Sequence, residues 1–200
     1  QAPDTRAECA AFVRLARNQP TPDLRRALSA MVALGLGAGL DGADQREVTP
    51  GDIVDTDLGD GTTALLVHVR GRRPRAVVVR STYEPLLREA LDLHNTSRRG
   101  KHTPIYGLSK SRRNVTSTVT SKSVTATGTG VDINAARLRA TWLLACMNAP
   151  VPLNALLSSA GLKSARTLTD LLAYCPPAEP EQVAVVLRAM DGSLSGGERR

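Results

Sequence analysis

The sequence contains few aromatic side chains: one Phe, one Trp and three Tyr among 200 residues. Proteins that bind single-stranded nucleic acid without sequence preference stack the bases on aromatic rings, so this composition argues against that class. Ala, Leu and Val must therefore fill the core. Hydrophobic residues make up 42% of the chain, which is enough for one domain of ordinary size.

Paired cysteines and long apolar runs are also lacking. Cys9, Cys146 and Cys175 lie far apart in the chain, without CxxC or metal-ligand spacing. We therefore expect reduced thiols in a cytoplasmic protein. No apolar run reaches about 18 residues, the least that a membrane-spanning helix needs, and the first residues lack the features of a secretory signal. The sequence predicts no membrane partner.

Signatures of cofactor, nucleotide and metal sites are incomplete. The alternating glycines of Gly35–Leu40 follow a helical pattern rather than a strand, and they do not complete a dinucleotide fingerprint. The segment Leu194–Arg199 resembles the signature motif of ABC-type ATPases, yet no phosphate-binding P-loop accompanies it. His68, His94 and His102 have no metal-ligand spacing. We expect neither a cofactor nor a metal.

Acidic residues are absent between Asp92 and Asp132. This window contains seven cationic residues: Arg98, Arg99, Lys101, Lys110, Arg112, Arg113 and Lys122. The formal net charge of the chain is +7, so the rest of the sequence is balanced. Such a basic window favours a polyanion partner, and a solvated loop that binds nothing is the alternative.

Hydrophobic periodicity and capping residues predict a mainly helical chain around a small antiparallel β-sheet, an α+β fold. The predicted helices cover residues 4–18, 21–38, 83–95, 134–147, 152–159, 164–174 and 181–190. The predicted strands, Thr62–Arg70 and Arg75–Ser81, form a hairpin with a basic tip. Thr21 and Asn134 are the expected N-caps of their helices.

The order of these segments resembles the catalytic domain of tyrosine recombinases, the phage-integrase family, over nearly the whole chain. Arg25–Ile53 resembles the family's first conserved box, in which a long apolar helix leads to a D-I pair. The basic hairpin follows, as in the family. Thr103–Leu144 then resembles the run into the H-x-L-R-H-T box, and Asn154–Tyr174 resembles the segment that ends in the nucleophilic tyrosine.

The resemblance implies a definite chemistry. Members of the family hold the scissile phosphate with two arginines and a histidine, which neutralise charge in the transition state. A lysine on the hairpin protonates the leaving oxygen, and a tyrosine makes the covalent bond to DNA. Here Arg139 takes the place of the second arginine, and Arg72 or Arg73 takes the place of the hairpin lysine. Arginine is a poor proton donor because its pKa is high.

Five positions depart from the family's pattern. They are Asp41 at the first arginine, Asp44 at the neighbouring glutamate, Ala136 and Leu162 at the two histidines, and Leu171 at the tyrosine. An unpaired carboxylate at position 41 would repel a phosphate by about 1–4 kcal/mol. The resemblance therefore implies a recombinase fold without recombinase catalysis.

Three function classes follow from these observations. The first is a duplex-DNA-binding protein that acts as a regulator or as an accessory factor of a mobile element. Its expected DNA-binding residues are Arg70, Arg72, Arg73, Arg75, Arg98, Arg99, Lys101, Lys110, Arg112, Arg113, Lys122 and Arg139. The second is an active strand-transferase that uses displaced residues, Tyr174, Arg46 and Arg139. The third is a protein-interaction domain that retains the fold without binding DNA.

The expected domain organisation has two parts. Residues 1–177 form the domain that resembles the recombinases, and residues 178–200 form a C-terminal helix and polar tail. By the same resemblance, this C-terminal segment is expected to mediate self-association or to bind a partner protein. Because the chain begins at Gln1 without a methionine, we also expect a further domain before it.

Overall fold

The computed structural model describes residues 2–107, 115–127, 132–177 and 179–189. The helices in these ranges are α1 (Arg6–Arg17), α2 (Pro22–Ala38), α3 (Gly42–Gln45), α4 (Glu84–Asn95), α5 (Val115–Thr127), α6 (Ala135–Met147), α7 (Leu153–Ala160), α8 (Arg166–Thr169) and α9 (Pro180–Ala189). The strands are β1 (Ile53–Asp57), β2 (Thr63–Val69) and β3 (Arg75–Val78). Short 3-10 turns occur at Pro50–Asp52, Ser81–Tyr83 and Leu172–Tyr174.

Helix α2 lies at the centre of the molecule. Thr21 caps its first turn by accepting a hydrogen bond from the Leu24 N–H, and Pro22 occupies the first helical position, where a missing N–H is harmless. Every residue from Arg26 to Ala38 is buried. A helix buried on all sides needs neighbours all around it, and α1, α4, α5 and α6 provide them.

Two glycines let α6 pack closely against α2. A Cβ atom at Gly35 would lie 2.7 Å from the Cβ of Leu138, closer than two carbon atoms can approach. Gly39 ends α2 in the left-handed conformation with φ of 65°, and a Cβ there would overlap the ring of Trp142. The alternating glycines therefore serve helix packing.

The three strands form one antiparallel sheet in the order β1-β2-β3. Ile53 pairs with Val67, and Val67 pairs with Val77, so these three buried residues form a row across the sheet. The β2–β3 connection turns at Gly71, whose φ is 90°. This hairpin, residues 63–78, packs against α7 through β3.

The predicted fold class is confirmed. Helices α1, α2, α4, α6, α7 and α9 and strands β2 and β3 lie where the sequence predicts them. Thr21 and Asn134 cap α2 and α6 as expected, the latter by accepting from the Ala136 N–H at 2.9 Å.

Three segments differ from the sequence-based expectation. Strand β1 was not predicted, because three of its five residues are polar and only Ile53 is buried. Helix α5 was not predicted, because its Thr and Val residues have low helix propensity. The single helix predicted for residues 164–174 is wrong: the chain forms α8 and then a 3-10 turn. The β-branched Thr167 and Thr169 and the following Asp170 disfavour a longer helix there.

Candidate nucleic-acid interface

Five charged side chains from distant parts of the sequence meet where the hairpin packs against the ends of α2 and α7. We call them the arginine–aspartate cluster: Asp41, Asp44, Arg73, Arg75 and Arg139. They include both acidic positions that depart from the recombinase pattern and the retained second arginine. The structure therefore brings together two of the positions that the resemblance assigns to phosphate binding, 41 and 139.

Asp41 is bound on both sides of its carboxylate. One oxygen caps α3 by accepting from the N–H groups of Ala43 and Asp44, each at 2.9 Å, and the other pairs with the guanidinium of Arg73. Burial acts to raise the pKa of Asp41, but the Asp44 N–H and the Arg73 charge outweigh it and hold the pKa below its ordinary value. The expectation of an unpaired carboxylate at position 41 is therefore wrong.

Arg75 connects the hairpin to α3 and α7. Its guanidinium donates to the Ser159 carbonyl at 2.7 Å, to the Arg73 carbonyl at 2.9 Å and to the Asp44 carboxylate at 2.8 Å. The side chain is only 5% exposed. Its guanidinium N–H groups thus donate to acceptors within the protein.

Arg139 binds the C-terminal ends of two helices. Its guanidinium donates to the carbonyl of Gly39, the C-cap of α2, and to the carbonyl of Ala160, the last residue of α7, the latter at 2.6 Å. Helix C-termini carry partial negative charge, which favours a cation there. Burial and the nearby charges of Arg73 and Arg75 lower the pKa of Arg139 to about 10, so it stays protonated at neutral pH.

The positions that the resemblance assigns to the family's two histidines and its tyrosine hold side chains without acid–base or nucleophilic chemistry. Ala136 is exposed in the first turn of α6, Leu162 is half-buried against the core, and Leu171 is a core residue at 4% exposure. Tyr174, the displaced candidate nucleophile, is 48% exposed at the end of its 3-10 turn. Arg46, the displaced candidate for phosphate binding, lies half-buried after α3.

Five of the predicted DNA-binding cations are exposed. We call this set the exposed cations: Arg70, Arg72, Arg98, Lys101 and Lys122. The side chain of Arg70 is 73% exposed even though its guanidinium lies 2.6 Å from the buried carboxylate of Asp52. These side chains are available for contact with a polyanion.

The other predicted cations are placed differently. Arg99 is 20% exposed and pairs with Asp23 at 3.5 Å. Arg73, Arg75 and Arg139 belong to the arginine–aspartate cluster, whose contacts are described above. Lys110, Arg112 and Arg113 lie outside the described residues.

A short series of contacts joins the hairpin to the basic window. The carboxylate of Asp52 pairs with Arg70 and also accepts from the N–H and the hydroxyl of Thr49, at 3.0 and 2.8 Å. The carbonyl of Val48, the residue before Thr49, accepts a hydrogen bond from the Ile105 N–H at 3.0 Å. The tip of the hairpin, at Arg70, and the part of the basic window around Ile105 are therefore close together.

Arg26 has a supporting role that sequence reasoning missed. This buried arginine of α2 donates to the carbonyls of Ile105 and Gly107, the latter at 2.9 Å, and to Asp23 at 3.1 Å. Burying a charge is costly unless such bonds compensate it, so Arg26 is tied to the backbone that leads into Lys110. The sequence signal is weak, because Arg26 stands beside Arg25 and Asp23 in the polar first turns of α2.

Two further kinds of site are absent from the described ranges. No helix there is long and apolar enough to cross a membrane. The same ranges contain no group of three or more His, Cys, Asp or Glu side chains placed to hold a metal ion.

Sequence comparisons find no match for the chain. No protein-family model matches it, and no curated protein sequence matches it. The relationship to known proteins therefore rests on the comparison of its fold with solved structures.

Several solved structures share this fold. XerA recombinase is 14% identical with a TM-score of 0.62, and the match covers 99% of this chain and 65% of XerA. The Tn1549 transposon integrase, in complex with circular intermediate DNA, is 14% identical with a TM-score of 0.61 over 94% of this chain and 67% of the integrase. XerH recombinase, in a post-cleavage complex with its palindromic difH substrate, is 15% identical with a TM-score of 0.60 over 93% of this chain and 52% of XerH.

The chain spans just under two thirds of XerA and about half of XerH. Its helices around a three-stranded antiparallel sheet agree with these structures and with the order of segments read from the sequence. The chain therefore has the fold of the tyrosine-recombinase catalytic domain.

Proposed function

We propose that this protein binds duplex DNA on a tyrosine-recombinase fold and does not cut it. It acts as a regulator or as an accessory factor of a mobile element, and its place in the cell is the nucleoid in the cytoplasm. One observation carries this proposal. Asp41 occupies the position at which the resemblance to the recombinases implies a phosphate-binding arginine, and its carboxylate is paired with Arg73.

Two observations support the DNA-binding part. The Tn1549 integrase and XerH, which share the fold, were solved in complex with DNA. The exposed cations lie on the hairpin, after α4 and on α5, and the contacts of Val48 and Asp52 make the first two of these regions neighbours. Lysine and arginine at a DNA surface release counterions from the phosphates, which drives binding at low salt.

The proposed lack of catalysis follows from the side chains at the positions that the resemblance assigns to catalysis. Loss of one group that stabilises charge in a transition state costs roughly 3–4 kcal/mol. Here several such groups are replaced together, and Arg139 donates to backbone carbonyls of two helices. A core leucine at position 171 has no nucleophilic atom. The strand-transferase alternative requires Arg139 to leave those carbonyls and is the weaker hypothesis.

Cleavage and binding assays test the proposal together. We expect the protein to form no covalent adduct with nicked or supercoiled DNA, and Tyr174→Phe to behave as wild type. We also expect affinity for a duplex to fall by about three orders of magnitude between roughly 50 and 200 mM salt if about six cations meet phosphates. An adduct that disappears in Tyr174→Phe would establish the strand-transferase instead.

A protein-interaction function is the second candidate, and helix α9 is the observation that favours it. Val183, Val185, Val186 and Leu187 are 41–69% exposed on this helix. An apolar helix face of this kind is typical of protein contacts. Binding of a partner or of a second copy without any salt-dependent DNA binding would support this function alone.

A further inference from the structure

We propose that Asp41 is a built-in competitor for nucleic-acid phosphates. Its carboxylate occupies Arg73, so that this hairpin arginine is closed to the duplex while its neighbour Arg72 is open to it. The inference rests on the proposed DNA binding and identifies which arginines of the hairpin take part. It also gives Asp41 a role in selecting where the duplex lies.

The two neighbouring arginines have different surroundings. Arg72 is exposed at the hairpin tip. Arg73 is 30% exposed, pairs with Asp41 and lies 3.2 Å from the Asp44 carboxylate. A phosphate at Arg73 would have to displace a carboxylate that two backbone N–H groups already hold in place.

Asp41 has a clear advantage in this competition. A carboxylate fixed in the fold has already lost its freedom of movement, whereas a phosphate must be ordered when it binds. Asp41 is itself 29% exposed, so its carboxylate holds Arg73 at the surface that a phosphate would approach. The ion pair therefore offsets the charge that Arg73 could offer to a phosphate.

Asp41→Asn isolates the charge from the helix cap. Asparagine is as good an N-cap as aspartate, because its side-chain oxygen accepts the same N–H groups. The variant should keep α3 and leave Arg73 with Asp44 alone, a carboxylate that Arg73 shares with Arg75. We expect its affinity for a random-sequence duplex to rise about three- to tenfold at roughly 100 mM salt, and the log–log salt slope to steepen by about 0.9.

A double-mutant cycle shows whether Arg73 carries this gain. In the wild-type background, Arg73→Gln should leave the salt slope unchanged, because Arg73 contacts no phosphate, although the carboxylate of Asp41, now without Arg73, lowers the affinity. The matched control Arg72→Gln should reduce the slope by about 0.9. In the Asp41→Asn background, Arg73→Gln should remove the steepening of the slope. A general field effect would instead change the slope equally in both backgrounds, because additive effects show no coupling.

Fluorescence anisotropy with a labelled duplex at several salt concentrations measures all five proteins, and circular dichroism checks that each is folded. The proposal is overturned if Arg73→Gln reduces the salt slope of the wild type as much as Arg72→Gln does, or if Asp41→Asn does not raise the affinity.

If neither the wild type nor any variant binds DNA, the proposed function fails and inorganic sulfate decides the present inference. Sulfate should then raise the melting temperature of Asp41→Asn above that in chloride of equal ionic strength. Because sulfate also stabilises folded proteins in general, wild type and the double variant should show a smaller rise, and equal rises in all three proteins would refute the competition at Arg73.

Discussion

Asp41 combines two contacts in one short side chain. One carboxylate oxygen caps α3, and the other pairs with Arg73 of the hairpin. Both contacts favour the ionised form and hold the pKa of Asp41 below its ordinary value, against the effect of burial. Their contribution to stability is therefore present above the unfolded pKa of about 3.9 and is lost as the pH falls through the lower folded pKa.

His94 leads to a prediction on pH dependence. This side chain is buried in α4, and its Nε2 lies 3.3 Å from the Gly100 carbonyl. Burial lowers the pKa of His94, and the charges of Arg26 and Arg99 lower it further, against the effect of the Gly100 carbonyl. The folded state thus prefers the neutral ring. Stability is complete above the unfolded pKa of about 6.5 and falls as the pH drops below it.

The measurement is thermal unfolding at about pH 7.5 and about pH 5.5, on either side of the ordinary imidazole pKa of about 6.5. Wild type should lose melting temperature at the lower pH, and His94→Gln should lose less. His68→Gln, at an exposed position of β2, is the matched control and should follow wild type. Equal losses in wild type and His94→Gln would show that His94 does not contribute.

At the level of elements, Arg139 holds α2, α6 and α7 together. A hydrogen bond from a charged group contributes about 1.5–3 kcal/mol, and removing one partner leaves the other unsatisfied. Arg139→Met removes two such donors, to Gly39 and Ala160, in a buried site. We expect it to lower the free energy of unfolding by about 3–5 kcal/mol, measured by urea denaturation.

Arg17 of α1 provides the control. It pairs with Glu89 at 2.6 Å, and the two side chains are 48% and 43% exposed. Ion pairs at the surface contribute little, so Arg17→Met should cost about 1 kcal/mol or less. Equal costs for the two variants would mean that Arg139 is not the main connection between these helices.

The sequence predicts most elements because periodicity and caps are local signals. Thr21 with Pro22 marks the start of α2, and the β-branched runs mark β2 and β3. Strand β1 lacks such a signal because its hydrogen bonds to β2, rather than its own residues, stabilise it. Helix α5 packs against α2, and this tertiary contact overrides its low propensity.

The site is only partly predictable for a related reason. The resemblance points to Asp41, Asp44 and Arg139 one by one, but their partners are far away in the sequence. Asp41 and Arg73 are 32 residues apart, and Arg139 and Gly39 are 100 apart. Only the folded chain brings the arginines of the hairpin and of α6 to these aspartates and carbonyls rather than to a phosphate.

At the scale of the whole molecule, the cations separate into two groups. The first group consists of Arg73, Arg75 and Arg139. Their guanidinium groups bind aspartates or backbone carbonyls in the arginine–aspartate cluster. The exposed cations keep their charge at the surface, and the basic window contains no acid to offset it. This surface charge favours association with a polyanion.

Helix α9 gives the last prediction, on self-association. Every residue from Glu179 to Arg188 is exposed, and Val183, Val186 and Leu187 share one helix face with spacing of three and four residues. Burial of such side chains contributes about 1.5–3 kcal/mol each. Val186→Ser with Leu187→Ser should therefore weaken self-association by about tenfold or more per residue, whereas Arg188→Ser should not. Sedimentation velocity across a wide concentration range measures this. The melting temperature extrapolated to low concentration should be unchanged, since the face is exposed in the single chain. A wild type that stays monomeric at every concentration would rule out this face as a self-association site.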